Sequence, residues 1–230
     1  MNTDAIDNRW KDLYRIAGIA AILSEVVIFL GLVTYFIWPF TPGNETTESI
    51  FLFLQRDRLG GLISLDLFLF VGNLFSIMLF LALYVSLKQV NESYALIALT
   101  IGLVGLVLLI PSRPISELFT LSRLYSTAAS EAAKNQYLAA GEALLTLFNG
   151  TNWFMNTLLG GISLLISSLL MLRSTLYSKA TAYVGIFTNA VICGFFIPVI
   201  GTFLLFLSLP GYMIWYILLA RRFFQMARRS

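Results

Sequence analysis

The sequence predicts an all-α integral membrane protein, a six-helix bundle with amphipathic outer helices between the third and fourth spans. Three observations carry this. Only 12% of the residues are charged and 58% are hydrophobic, whereas a soluble domain carries roughly a quarter charged. So few charges cannot keep a surface of this size in water, and lipid must solvate most of the chain. Apolar runs recur from end to end, each long enough to cross a hydrocarbon core of about 30 Å. The basic residues gather at the ends of those runs.

The first run covers about 16–38 and is stopped by Pro39 and Pro42. It is not a cleaved signal peptide. Its flank mixes Asp4, Asp7 and Asp12 with Arg9, Lys11 and Arg15, and no small-x-small site follows it. The second run is about 62–87, the third 94–110 with Pro111 behind it, and the fourth 153–172. From Ala180 to Leu219 there is no charge. As one helix that stretch would measure roughly 60 Å, twice the core thickness, so it must fold back. Pro198 and Gly201 supply the turn, giving a fifth span of about 180–197 and a sixth of 201–219. All six belong to a single transmembrane domain over 1–230.

Pro111–Asn152 is then the only sizeable stretch outside the spans. Pro114–Tyr125 reads as an amphipathic helix with Ile115, Leu118 and Phe119 on one side, and Ala129–Phe148 as another with Tyr137, Gly141, Leu144 and Phe148 at helical spacing. These helices either lie on the outer leaflet or extend the third and fourth spans.

With six spans, Arg9, Lys11, Arg15, Lys88, Arg173, Lys179, Arg221, Arg222, Arg228 and Arg229 share one side, ten of the 15 basic residues. Arg56, Arg58, Arg113, Arg123 and Lys134 share the other. The excess places both termini in the cytoplasm. Trp38 and Trp153 mark the outer interface, and Tyr14, Tyr94, Tyr183 and Tyr216 the inner one. The net charge of +3 therefore reflects orientation. No basic stripe with interleaved stacking aromatics points to nucleic acid. The expected partners are the lipid bilayer and a membrane protein or second copy.

Several chemistries are excluded outright. The chain has no histidine, which removes bis-His haem, the usual His-containing zinc and iron sites, and the Ser-His-Asp triad. Its one cysteine, Cys193, has no intramolecular partner. Lys11, Lys88, Lys134 and Lys179 lie at or beyond helix ends, where none can hold retinal. No Walker or Gly-x-Ser-x-Gly motif occurs. No cofactor, metal or catalytic residue is assigned; a carboxylate-only site on Asp66, Glu117 and Glu142 is the one enzymatic arrangement left.

Glu25 stands alone inside the first run. A carboxylate there costs roughly 2.5–3.5 kcal/mol on insertion scales, so it should face protein or a water pocket. At 1.5 Å per residue it lies roughly 13 Å from the inner end of its helix. Ser76, Ser163 and Asn189 fall at similar depth, with Asn73 a turn higher, and the five form a candidate intramembrane polar site. The site is either structural glue between helices or a proton or ligand site. A candidate outer pocket comprises Asp66, Arg113, Glu117, Asn149 and Asn152. Within it Asp66 and Arg113 share a height, and a partly exposed pair there is worth roughly 1 kcal/mol or less. Ala98, Gly102 and Gly105 on the third span, and Gly160, Ser163 and Ser167 on the fourth, make close-packing faces. Pro210-Gly211 kinks or breaks the sixth. The sequons at Asn44, Asn91 and Asn149 are short, and Asn91 falls on the cytoplasmic side.

Further features recur in one known group. Arg15-Ile-Ala-Gly18 opens the first span, Asp66 precedes a Leu/Phe run ending in Leu83-Tyr84, the fourth span ends in Leu172-Arg173-Ser174, and a Pro-Gly-containing last helix closes on arginines. From about Arg9 to Arg222 the chain resembles a bacterial multi-pass membrane family, the domain of unknown function 4386. The resemblance implies an inner-membrane protein and supplies no activity. Two functions compete: a non-catalytic accessory, sensor or immunity-type protein acting through helix contacts, and a small transporter or lipophilic-ligand-binding protein using Glu25 and the outer pocket.

Overall fold

The computed structural model describes residues 8–37, 45–148 and 150–229. They form ten α-helices with no strand among them: α1 (Lys11–Ile37), α2 (Thr47–Arg56), α3 (Arg58–Ser64), α4 (Leu67–Leu87), α5 (Glu92–Ser112), α6 (Ile115–Ser126), α7 (Glu131–Leu145), α8 (Thr151–Met171), α9 (Lys179–Cys193) and α10 (Gly201–Arg229). Among the described residues, six helical stretches are long and apolar enough to cross a membrane. Trp38, Pro39, Pro42, Asn44 and Asn149 lie outside the described residues.

The chain divides into two compact units, one of residues 1–26, 72–107 and 155–230, the other of 27–71 and 108–154. In the first, small residues turn inward and bulky ones outward. Ala17 and Ala21 on α1 are fully buried, while Ile16, Ile19 and Ile22 are about half exposed. Such a helix suits lipid: small side chains let helices approach, and branched ones meet acyl chains. The interior is aromatic. Trp215 is fully buried and donates from Nε1 to the Thr181 carbonyl at 3.0 Å, and Tyr14 stacks on Phe223 at 6.2 Å. Gly102 fits between Phe80 and Ser163, so the third span's small face is a contact surface.

The turn expected at Pro198 and Gly201 is present, preceded by a 3-10 turn at Gly194–Phe196. Gly201 donates to the Ile197 carbonyl at 2.9 Å, and a Cβ on Gly201 would collide with the Phe195 carbonyl. Val199 has φ 74° and is fully exposed. α10 runs unbroken through Pro210 and ten residues beyond the expected end at Leu219. It continues because Leu219, Ala220, Phe223, Met226 and Ala227 form one buried face while Arg221 and Arg228 stay exposed. Tyr14 and Tyr216, expected at an interface, are instead packed at 3% and 8% exposure, whereas Tyr94 and Tyr183 are exposed.

The second unit corrects the reading that 111–152 is the only sizeable stretch outside the spans. Residues 47–64 form α2 and α3, and the second span starts at Leu67 rather than 62. Thr46 caps α2 by accepting from the Ser49 amide at 3.2 Å, Glu48 sits in its first turn and Arg56 in its last. Both charges complement the helix dipole. Asp57 ends α2 and caps α3, accepting from Gly60 at 2.9 Å. The apolar face of α2 joins the expected amphipathic helices in one cluster of Ile50, Phe51, Leu54, Leu65, Leu118 and Phe148, with Ile115, Phe119, Tyr137 and Leu144 packed around it. Ser122 donates to the Phe51 carbonyl at 2.8 Å and Gln55 to the Ser122 carbonyl at 2.9 Å, tying α2 to α6.

Two outcomes test this packing. Phe51→Ala removes a fully buried ring and costs about 3–5 kcal/mol; an unchanged unfolding midpoint would contradict the cluster. A β-branched residue at positive φ costs about 1–2 kcal/mol. Val199→Gly therefore stabilises the protein by about 1 kcal/mol in detergent unfolding, and a loss of stability would refute the assigned turn.

Candidate functional site

On α1 the inward face carries Tyr14, Ala17, Ala21 and Ser24, and Glu25 follows on its flank, half-buried. The Glu25 Oε2 atom is enclosed and has no hydrogen-bond partner among the described residues, nor does the Oγ of Ser24, a residue only 4% exposed. The Tyr216 hydroxyl of α10 faces Ser76 of α4 and lies within electrostatic range of Glu25. An enclosed carboxyl oxygen of this kind is a ready acceptor for a proton or a ligand donor.

Asn73, Ser163 and Asn189 do not converge on Glu25 as their depths suggested. Asn73 donates to the Leu106 carbonyl at 3.0 Å, joining α4 to α5. Ser163 donates to the Ala98 carbonyl at 2.5 Å, joining α8 to α5. Asn189 donates to Gly185 at 2.7 Å and accepts from the Tyr212 hydroxyl at 2.9 Å, joining α9 to α10. Depth carries no information about azimuth, and each side chain takes the carbonyl or hydroxyl that its own face meets. Asn156 and Tyr177 do the same work and were not singled out from the sequence. Asn156 donates to Gly105 at 2.9 Å, where Gly105 leaves the carbonyl open to it, and Tyr177 shares a 2.7 Å hydrogen bond with Ser86. Burial pushes the Tyr177 phenol above the ordinary tyrosine range, with the Ser86 bond opposing it.

The outer candidates centre on Arg113. It lies between Pro111 and Pro114, where α5 ends and α6 begins. Its side chain is 3% exposed, and its Nε is 2.9 Å from Asp66 Oδ2. Asp66 itself is 43% exposed in the side chain and has φ 63°, a left-handed conformation that Asp tolerates better than most residues. The Nη1 atom donates to the Phe148 carbonyl at 2.9 Å, the Ser112 carbonyl at 3.0 Å and the Ser112 hydroxyl at 3.2 Å. The guanidinium lies over the Phe148 ring at 4.9 Å and the Trp153 ring at 4.6 Å.

This is a built-in clamp, and it differs from the expected open pocket. The cation is buried, so the low worth of an exposed pair does not apply to it. Glu117 is exposed on α6 and makes no ion pair with Arg113, while Asn152 is half-buried and takes no part in the clamp. Phe148 and Trp153 cover the guanidinium; Trp153 had been read only as an interface marker. Nor do the carboxylates Asp66, Glu117 and Glu142 gather. Glu142 instead lines an open groove of about 570 Å³ with Glu45, Glu48 and Leu138. Among the described residues no group of three or more Asp, Glu, Cys or His side chains is placed to hold a metal ion.

Breaking a buried pair from one side leaves the other charge uncompensated. Arg113→Ala therefore costs about 3 kcal/mol, from the lost ring contacts and carbonyl bonds. Asp66→Asn keeps the backbone conformation and isolates the charge, at about 2 kcal/mol given the partial exposure of Asp66. The double variant costs less than the sum of the two. Additive losses in detergent unfolding would show that the two side chains are not coupled.

The family model for the domain of unknown function DUF4386 matches residues 13–221. No curated protein and no solved structure matches the chain. A match that takes in every apolar helix from the start of α1 to the first arginines of α10 leaves no other assignment: the protein belongs to the DUF4386 family.

Proposed function

We propose that this protein is a non-catalytic component of a bacterial inner membrane, an accessory, sensor or immunity-type protein acting through helix contacts with a membrane-protein partner or a second copy. The observation that supports it is the use made of the polar groups on the apolar helices. Asn73, Asn156, Ser163, Asn189 and Trp215 each bond to another helix. A transport path needs polar groups that face a lumen; these face carbonyls. The excess of basic residues at one set of helix ends supports cytoplasmic termini.

One observation favours the second reading, a small transporter or lipophilic-ligand-binding protein. It is the enclosed Glu25 oxygen, with the Tyr216 phenol within electrostatic range. Proteoliposomes separate the two. On the first reading, purified protein passes protons and lipophilic cations no faster than protein-free vesicles do, and Glu25→Gln leaves folding intact because the amide keeps an acceptor. A flux that Glu25→Gln abolishes without loss of stability would replace the first reading with the second. Orientation is read separately: a cysteine at Glu131, an exposed residue at the start of α7, is labelled from outside the cell. Labelling only from the cytoplasm would invert the topology.

A further inference from the structure

Positive charge is concentrated in one of the two compact units. The unit of 1–26, 72–107 and 155–230 holds ten of the 15 basic residues and five of the 12 acidic ones; the other holds five and seven. Three contacts bring the basic positions to one end of that unit. Lys88 Nζ lies 5.4 Å from the Trp10 ring, setting the end of α4 beside the start of α1. The stacking of Tyr14 on Phe223 sets the start of α1 beside the tail of α10. The Ser86–Tyr177 bond sets the turn between α8 and α9 against the end of α4. Arg15, Arg173, Arg221 and Arg228, exposed at this end, form no ion pair among the described residues. The N-terminus of α9, capped by Ser178, opens from the same turn and adds the positive end of its dipole.

The apolar side of the pattern identifies what the arginines meet. Arg15 is followed four residues later by Ile19, 47% exposed; Arg173 is preceded four residues earlier by Leu169, 48% exposed; Arg221 is preceded four residues earlier by Ile217, 57% exposed. On α1, at the end of α8 and on α10, an exposed cation sits about one turn beyond an exposed branched hydrocarbon, always with the cation nearer the helix end. Free phosphate has no use for the hydrocarbon, and nucleic acid would need the cations without it.

We propose that this end of the protein binds anionic phospholipids, with headgroup phosphates at Arg15, at Arg173 and at Arg221 and the acyl chains beside each along Ile19, Leu169 and Ile217. The selectivity is electrostatic, so it acts on top of the hydrophobic contact that any lipid makes, at about fivefold for each arginine near the surface. It holds whether or not Glu25 carries a function.

The test is retention of lipid by the purified full-length protein in native mass spectrometry, from micelles holding equal phosphatidylglycerol and phosphatidylcholine. The wild type retains phosphatidylglycerol in preference. The variant Arg15→Gln/Arg173→Gln/Arg221→Gln loses the preference, with each single variant losing about fivefold, and the corresponding Lys variants keep most of it. The unfolding midpoint in phosphatidylcholine alone reports whether each variant is folded, and the single variants carry the comparison if the triple one is not. Arg56→Gln with Arg123→Gln, exposed arginines of the other unit, leaves the preference unchanged. Equal retention of the two lipids by the wild type would overturn the proposal. So would an equal loss in the Arg56/Arg123 control, or displacement of phosphatidylglycerol by millimolar inorganic phosphate, which would make the site one for a free anion.

Discussion

The structure depends on one constraint: a polar group on an apolar helix has to find its partner inside the protein, because hydrocarbon offers none. The first unit meets it helix by helix. Side-chain donors on α4, α8 and α10 reach carbonyls of α5 and α9. These carbonyls are reachable because small residues thin the contacted faces: the Asn156 acceptor is the carbonyl of Gly105, and the Ser163 acceptor that of Ala98. Small residues and hydrogen bonds are therefore parts of a single device. Close approach brings the donor within range, and the bond selects one azimuth among the many that small faces allow. Each such bond in a membrane is worth only about 0.6 kcal/mol on average, so their value lies in specifying the packing.

The second unit meets the same constraint for a charge. Arg113 ends a helix between two prolines, so it stands where backbone carbonyls lack helical partners. It takes up one of those carbonyls, that of Ser112, and the Phe148 carbonyl between α7 and α8, faces a carboxylate, and covers its remaining surface with two aromatic rings. A lysine in its place would offer one point charge where the planar guanidinium meets carbonyls, Asp66 and rings together. Asp66 supplies the countercharge from a left-handed turn between α3 and α4. That turn fixes where the second span begins, so the ion pair and the helix boundary are set by the same residue.

Much of this was legible in the sequence, for reasons that explain what was not. Six long apolar runs leave no alternative to six apolar helices. A fold-back followed from length, since no membrane accommodates a 40-residue apolar helix between Ala180 and Leu219, and Pro198 and Gly201 gave its place. The pairing of Asp66 with Arg113 followed from matched height. Helices α2 and α3 were missed, although Thr46, Glu48, Ile50, Phe51 and Leu54 spell a cap and an apolar face, because proximity to long hydrophobic runs masks a ten-residue amphipathic signal. The intramembrane site failed differently. Hydropathy and rise give the height of a residue along its helix but say nothing of its rotation, because these helices are apolar all round. Three of the five polar residues matched in height were consequently facing other neighbours.

Glu25 is the carboxyl group at which the governing constraint is not met within the described residues, with the hydroxyls of Ser24 and Thr188 also left without a partner. Asn73, Asn156 and Asn189 reach neighbouring helices and several serines reach carbonyls of their own, while the enclosed oxygen of Glu25 reaches none among the described residues. A glutamine at this position would bring a donor to the same space without needing a proton to be neutral, whereas a carboxyl group donates only when it holds one. The side chain that does sit nearby, Tyr216, is a phenol on the helix that also carries Trp215 and Tyr212 into the interior. What distinguishes a carboxyl from an amide there is its ability to take and release a proton, and on that property the two proposed readings of the protein differ.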